Sequence, residues 1–289
     1  MLKLFLSVDF FMAILRATTP ILFATLAASV AAKAGICNMA LEGIMLFSAL
    51  FGVIFSNLTG SWVMALLLTG VCGGIIGLIL AFFILNLKTD EILAAIAINL
   101  TATGGTVLLL LAFSGDRGSS SFPTVSAPAI GGVNIMTICA IIMVPVMHMF
   151  LYKTPLGLQI RSVGENKNAA ESVGVKSIKI QYIALVISGV LCSFGGYFLS
   201  GGYMNSFTKN MQSGRGFIAL AASAMGMDTP IGGCAVSFLF GVAQAVGNQL
   251  QLTNIPVELI QMIPYATTLI GLAVFSYIVR QKKAKLTHG

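Results

Sequence analysis

A carboxylate inside an apolar stretch is the residue whose position most suggests chemistry. Glu42 follows Asn38 by four residues within residues 35–55, and this spacing places both side chains on one face of a predicted helix. A charged side chain at membrane depth is costly unless it faces a polar partner or a water-filled cavity. Glu42 is therefore predicted either to serve a functional site or to tie together the ends of broken helices.

A second polar patch lies in the apolar stretch 92–113. It contains Asn99, Thr101 and Thr103, followed by two glycines. Such groups either line a hydrophilic passage or form hydrogen bonds between helices. Both interpretations remain open from the residues alone.

The motifs of common reaction centres are absent from the chain. It has no HExxH helix, no G-x-S-x-G elbow, no DDxxD pair and no G-x-x-x-x-G-K-[ST] loop for nucleotide phosphates. Its five cysteines are scattered singly without CxxC spacing, which indicates neither a disulfide framework nor a zinc site. We therefore expect no catalytic residues, no metal and no cofactor.

The composition identifies the class of protein that must position these polar residues. Of the 289 residues, 57% are hydrophobic and 9% are charged, and the mean hydropathy is +0.96, whereas soluble domains carry about 25% charged residues. A membrane span needs about 20 mostly apolar residues. The sequence predicts an all-α polytopic membrane protein with about eight to ten transmembrane or re-entrant helices, in one domain covering residues 1–289.

The net charge of +7 reflects topology rather than nucleic-acid binding. Nine of the sixteen basic residues lie in the central polar segment 153–180 and in the tail 280–285. Because loops rich in Lys and Arg face the cytoplasm, both regions are predicted to lie inside the cell. The nearly uncharged loop 114–132 is predicted to lie outside.

The central segment also carries signals of a short helix outside the membrane. Asn168 and Glu171 have the spacing of a capping box. Gly174 stands where a left-handed residue ends a helix. These residues predict a helical stub over residues 169–173.

Several apolar stretches carry further marks. Residues 1–19 suit an interfacial segment or a weakly hydrophobic first span, before a short apolar run at 20–32. The span 61–87 carries Gly70, Gly73, Gly74 and Gly77, whose four-residue spacing favours close helix packing. Residues 214–226 are too few for a full span and predict either a re-entrant half-helix or the start of a broken helix, whereas residues 259–279 predict a complete last span.

Four stretches together resemble a known family. They are NMALEGIML at 38–46, TPLGLQIRSVGENKNAAESVGV at 154–175, SGVLCSFGGYFLS at 188–200, and GRGFIALAASAMG at 214–226 followed by DTPIGG. Nearly the whole chain resembles the permease subunits of bacterial ABC importers for ribose-like sugars and nucleosides, and GRGFIALA favours the nucleoside-type branch. One departure is Asp228-Thr229-Pro230, where family members usually keep Trp-Asn-Pro or similar.

The resemblance implies roles for two sets of residues. Coupling to a separate ATPase is implied for the central segment 153–180, through Arg161, Gly164, Asn166, Asn168, Ala169, Ala170, Glu171 and Gly174. A translocation pathway is implied near Asn38, Glu42, Asn99, Thr101, Arg215 and Phe217. The chain itself is then expected to be a transport subunit and not an enzyme.

The resemblance also implies an environment and partners. The expected place is the inner membrane of a bacterial cell, in contact with the lipid bilayer. The expected partners are an ABC ATP-binding subunit, a second permease that is related but different, and an external substrate-binding lipoprotein. No nucleic-acid partner is expected.

Two hypotheses of other classes remain beside this one. A stand-alone secondary transporter driven by an ion gradient would use Glu42 as its ion or proton site. An intramembrane enzyme has no catalytic constellation to support it.

Overall fold

The computed structural model describes residues 7–116, 118–120 and 125–251, together with positions 266–269, 271 and 273. Within these residues, 7 helices are long and apolar enough to cross a membrane, and one shorter apolar helix accompanies them. The all-α polytopic fold is therefore confirmed. Most of the predicted last span 259–279 and the basic tail lie outside the described residues, although positions 266–269 are helical.

We number the helices α1 to α10 in chain order. Their bounds are α1 Val8–Lys33, α2 Leu41–Thr59, α3 Trp62–Ala81, α4 Glu91–Ser114, α5 Ile135–Lys153, α6 Pro155–Glu165, α7 Lys167–Ser172, α8 Ser177–Tyr197, α9 Arg215–Met225 and α10 Pro230–Leu250. Two of them continue as π-helical turns, α3 through Phe82–Asn86 and α8 through Phe198–Met204.

Helix α1 lies at the centre of the bundle. It packs against α8, α9 and α10, and its residues 18–31 are buried. The predicted division into residues 1–19 and 20–32 is wrong, because α1 runs without interruption through Pro20. Proline is tolerated inside membrane helices where neighbouring helices and hydroxyl side chains bond the backbone groups it leaves free. Beside it, the Thr19 hydroxyl donates to the Leu15 carbonyl at 2.7 Å.

Helices α3 and α8 touch along a glycine seam. A Cβ atom built on Gly77 would lie 2.5 Å from the carbonyl oxygen of Leu185, and one built on Gly189 would collide with the Gly73 carbonyl. Gly70 and Gly74 face Phe194 and Val190 of the same helix. The predicted packing role of the α3 glycines is confirmed.

The two ends of the bundle differ. One end carries α6 and α7, and we call it the α6–α7 end. The other carries the antiparallel pair Ala129–Ile130 and Val133–Asn134, which we call the hairpin end. There, the loop after α4 is pinned to the segment after α8, since the Ser120 N–H donates to the Phe207 carbonyl at 2.8 Å.

Helix α9 has half the length of its neighbours. Its 11 residues extend about 16 Å at 1.5 Å per residue, which confirms the predicted half-helix. It ends at the α6–α7 end, where the Lys33 Nζ atom donates to the Met227 carbonyl at 3.1 Å. The turn before Pro230 then leads into α10, which runs back towards the hairpin end.

Candidate functional site

Residues 34–40 connect α1 to α2 without helical structure. Asn38 lies in this connection, so the prediction that Asn38 and Glu42 share one helix face is wrong. The Asn38 Oδ1 atom accepts the Ala40 N–H at 3.1 Å. Such local bonds from Asn compete with helix formation, which accounts for the start of α2 at Leu41.

The connection enters the interior of the bundle along α8. The Gln181 Nε2 atom donates to the Ala34 carbonyl at 3.2 Å, and the Cys192 thiol donates to the Leu41 carbonyl at 3.2 Å. Between them, Asn38 donates from Nδ2 to the Ser188 hydroxyl at 2.9 Å. Since Cys192 lies fifteen residues into α8, α2 begins about 22 Å from the start of that helix.

Glu42 joins two helix ends inside the protein. Its Oε1 atom accepts the Gly214 N–H at 2.7 Å, and its Oε2 atom accepts the Gly216 N–H at 2.8 Å. These donors belong to the start of α9, where a carboxylate is stabilised by the free N–H groups and the helix dipole. Of the two roles predicted for Glu42, the structure supports the tie between broken helix ends.

Asn99 of α4 completes the start of α2. Its Oδ1 atom accepts the Gly43 N–H at 2.8 Å, and its Nδ2 atom donates to the Met39 carbonyl at 3.0 Å. The helix thus receives its N-terminal cap from a side chain of another helix. For Asn99, the interhelical hydrogen bond is the interpretation that the structure supports.

Of the other predicted pathway residues, one lies at the start of α9 and two lie on exposed helix faces. Arg215 lies in the first turn of α9, where its Nη1 atom donates to the Met211 carbonyl at 2.9 Å. Phe217 is 50% exposed. Thr101 is exposed on α4 and donates to the Ala97 carbonyl of its own helix. The structure therefore gathers Asn38, Glu42, Asn99 and Arg215 around the starts of α2 and α9, and leaves Thr101 and Phe217 on exposed helix faces.

The central polar segment forms two helices rather than one stub. Thr154 caps α6 by accepting the Gly157 N–H at 3.1 Å, and Pro155 fits the first helical position because it has no N–H to satisfy. Arg161 fastens α6 to α5, with its Nε atom donating to the Leu151 carbonyl at 3.0 Å and its guanidinium 4.7 Å from the Tyr152 ring centre. Helix α6 is thus fastened to the end of α5.

The predicted capping box of α7 is wrong. The cap is Asn166, whose Oδ1 atom accepts the Ala169 N–H at 3.1 Å, and the helix starts at Lys167. Asn166 has the extended backbone of an N-cap, with φ −154° and ψ 102°. Asn168 and Glu171 instead lie within the helix and are exposed.

The end of α7 is as predicted. Gly174 has a φ of +89°, a conformation that favours glycine. The Val175 N–H donates to the Ala170 carbonyl at 3.1 Å and closes the helix.

The residues expected to couple this chain to an ATPase do not all face outward. Ala169 is exposed and Val173 is 79% exposed, whereas Ala170 is 4% exposed and packs inward. Gly164 presses its backbone on the chain before α2: a Cβ atom on Gly164 would lie 3.0 Å from the Gly35 nitrogen and would collide with the Lys33 carbonyl. Ala170 and Gly164 therefore contact the protein's own bundle.

Sequence reasoning missed Glu91 and Gln181. The Glu91 Oε2 atom accepts the Cys37 N–H at 2.9 Å, although the two residues are 54 positions apart. Glu91 follows Asp90, the N-cap of α4, and locally looks like any acidic residue in a first turn. No local signal could have indicated its partner.

Comparisons with known proteins agree along nearly the whole chain. The family model described as "Branched-chain amino acid transport system / permease component" matches residues 10–272. The guanosine ABC transporter permease protein NupQ of Bacillus subtilis is 31% identical, over 89% of this chain and 88% of that protein. The nucleoside ABC transporter permease protein NupC of Lactococcus lactis is also 31% identical, over 89% of each chain. The putative glucose ABC transporter permease protein TsgC13 of Haloferax volcanii is 28% identical, over 95% and 93%. No solved structure is significantly similar to the chain.

Proposed function

Since this chain belongs to the permease-component family of branched-chain amino acid transport systems and is a membrane-spanning subunit of an ABC importer, we propose that it carries nucleosides. The two relatives at 31% identity are named for guanosine and for nucleosides. The relative named for glucose is 28% identical. The motif GRGFIALA, typical of the nucleoside-type branch, supports the same substrate class.

The packing of α7 on the bundle through the buried Ala170 is the observation that carries the coupling proposal. Asn166 caps this helix, Gly174 ends it, and its exposed face includes Asn168, Ala169 and Glu171. A short helix fixed to the bundle can pass a push from a partner to the spans as rigid-body motion. We propose that the ABC ATP-binding subunit docks on this face, through segment 153–180, on the cytoplasmic side of the bacterial inner membrane.

The pathway proposal changes from the one based on the sequence. The polar groups of Asn38, Glu42 and Asn99 are engaged in bonds that hold helix ends. We therefore propose that these residues support the helices around the passage instead of lining it. The exposed side of α4 offers small residues with room beside them: Ala97 and Thr101 are exposed, and no atom lies within 4 Å of a Cβ atom built on Gly104. We propose that this face lines the passage, opposite a second, related permease. An external lipoprotein delivers substrate to this passage.

The stand-alone secondary transporter is not favoured. That hypothesis uses Glu42 as the ion or proton site, yet both carboxylate oxygens of Glu42 accept backbone N–H groups of α9. A group held in this way already has a structural role. The comparisons also place the chain among subunits of ABC transporters.

Uptake in proteoliposomes tests the proposal. The chain is reconstituted with its ATPase, second permease and binding lipoprotein, and labelled guanosine and glucose are compared with and without ATP inside. ATP-dependent guanosine uptake that exceeds glucose uptake is expected. Uptake of glucose alone would overturn the substrate class. Uptake by this chain alone that collapses with an ionophore would overturn the ABC mechanism.

A further inference from the structure

We propose that residues 34–43, which we call the relay segment, pass movement of α6 and α7 to the starts of α2, α4 and α9. This inference rests on the proposed function, in which the ATPase acts on α7. The relay segment joins the α6–α7 end of the bundle to its interior, and the proposal gives it a mechanical role.

The relay segment meets α6 backbone to backbone. A Cβ atom on Gly35 would lie 3.2 Å from the Gly164 Cα atom, and Gly35 has a φ of +78°. No side chain lies between these two glycines to absorb a displacement by changing rotamer. Movement of the end of α6 therefore reaches the relay segment directly, because close-packed backbones transmit strain.

The middle of the segment is bonded to α4. The Glu91 side chain holds the Cys37 N–H at 2.9 Å, and Asn99, two turns further along α4, bonds both Met39 and Gly43. The two Asn99 bonds are partly buried, where a hydrogen bond is stronger than in water, whereas the Glu91 bond is exposed. Helix α4, whose exposed face we assign to the passage, is thus tied to the segment at two levels.

Helix α9 is bonded to the segment at its start and, just beyond its end, to the residue that precedes the segment. At the interior end, Glu42 holds the N–H groups of Gly214 and Gly216. At the α6–α7 end, Lys33, which directly precedes the segment, holds the Met227 carbonyl at 3.1 Å. Helix α9 is thus held at its start by the segment itself and, two residues beyond its end, by the last residue of α1 that leads into the segment, so that it moves with this part of the chain. One displacement of α6 can therefore tilt α9 and α4 together.

Substitution of Glu91 distinguishes a relay from a merely structural connection. It lies in the first turn of α4 and contributes one bond to the segment, through a single carboxylate oxygen. Replacing it with Ala removes the bond, whereas Gln keeps an acceptor oxygen at the same place. Asp90 caps the same helix end by accepting the Ile92 N–H at 2.9 Å but does not bond the segment, so Asp90→Ala is a matched control.

The experiment measures labelled nucleoside taken up per ATP hydrolysed by the complete transporter in proteoliposomes. Glu91→Ala should lower this ratio at least about fivefold while subunit association and ATP hydrolysis stay within about twofold. Glu91→Gln should restore the ratio, and Asp90→Ala should leave it unchanged. An unchanged ratio in Glu91→Ala, or an equal fall in Asp90→Ala, would overturn the relay.

Two further variants keep the test decisive. If Glu91→Ala does not accumulate, Asn99→Leu removes the bonds of α4 to Met39 and Gly43 with a side chain of similar size, and the same fall is expected; an unchanged ratio would again overturn the relay. Val173→Asp, on the exposed end of α7, tests the underlying docking proposal by itself. If Val173→Asp leaves ATPase association and hydrolysis intact, the proposed docking fails. If it disrupts them while Glu91→Ala and Asn99→Leu have no effect on the ratio, only the relay fails.

Discussion

The Oε2 atom of Glu42 accepts the backbone N–H of Gly216 at 2.8 Å, across 174 residues of sequence. This bond brings the start of α2 against the start of α9 inside the bundle. The contact is so close that a Cβ atom on Gly216 would lie 2.7 Å from the Glu42 Cα atom. A charged residue and a glycine that look unrelated in the sequence thus form one joint.

Removing the Glu42 carboxylate should destabilise this joint. Glu42→Ala leaves the N–H groups of Gly214 and Gly216 without their acceptor in a buried place, which should lower the free energy of unfolding by about 3 kcal/mol. Glu42→Gln keeps one acceptor oxygen and should lose less. The measurement is the thermal inactivation midpoint of the detergent-solubilised complex. A variant Glu42→Ala as stable as the wild type would show that the joint is not needed for the fold.

Glu42→Gln also distinguishes the two modes of transport. Because we assign Glu42 to the joint, Glu42→Gln should retain ATP-driven uptake in the reconstituted complex, in proportion to the protein that assembles. An ion-coupled carrier would instead lose its gradient-driven uptake in this variant. Uptake is followed with and without an ionophore, with inhibition by the ionophore counting against the ABC mechanism.

The glycine seam should reject even a methyl group. Gly77→Ala places its Cβ atom against the Leu185 carbonyl and should cost about 1–3 kcal/mol by overpacking. Gly104→Ala is the matched control, since no atom lies within 4 Å of its Cβ position. Membrane-inserted protein and its inactivation midpoint are compared for both. Equal behaviour of the two variants would contradict the close approach of α3 and α8.

The cap of α7 can be tested by comparing two asparagines. Asn166→Ala removes the acceptor of the Ala169 N–H and should destabilise α7 by about 1 kcal/mol. Asn168→Ala replaces an exposed residue within the helix with a better helix former and should leave its stability unchanged or slightly higher. Hydrogen exchange of the α7 amides reports the difference. Faster exchange in Asn168→Ala than in Asn166→Ala would restore the capping box that the sequence predicted.

Position 174, at the end of α7, should tolerate Asn but not Val. Gly174 has a left-handed backbone, which Asn adopts with little strain and a β-branched residue does not. Gly174→Val should therefore weaken copurification of the ATPase several-fold, whereas Gly174→Asn should stay near the wild type. Pull-down of the ATPase with each variant, at equal membrane expression, gives the comparison. Full ATPase binding by Gly174→Val would argue against docking through this end of the helix.

Predictions from the sequence succeeded where one stretch of chain contained the reason. The half-helix at residues 214–226 could be predicted because its length alone excludes a full span. The packing role of the α3 glycines and the left-handed backbone of Gly174 followed from spacing and residue type. Predictions failed where two local signals competed, as when Asn166 rather than Asn168 became the cap of α7.

The sequence by itself determined the membrane class, the approximate spans and the segment that must leave the bilayer, because apolar length and charge are properties of consecutive residues. Only the tertiary structure decided what the polar residues inside the bundle do. Glu42, Asn99 and Glu91 bond backbone groups that lie 54 to 174 positions away. Buried polar groups need partners, and the packing of distant helices decides which partners they find.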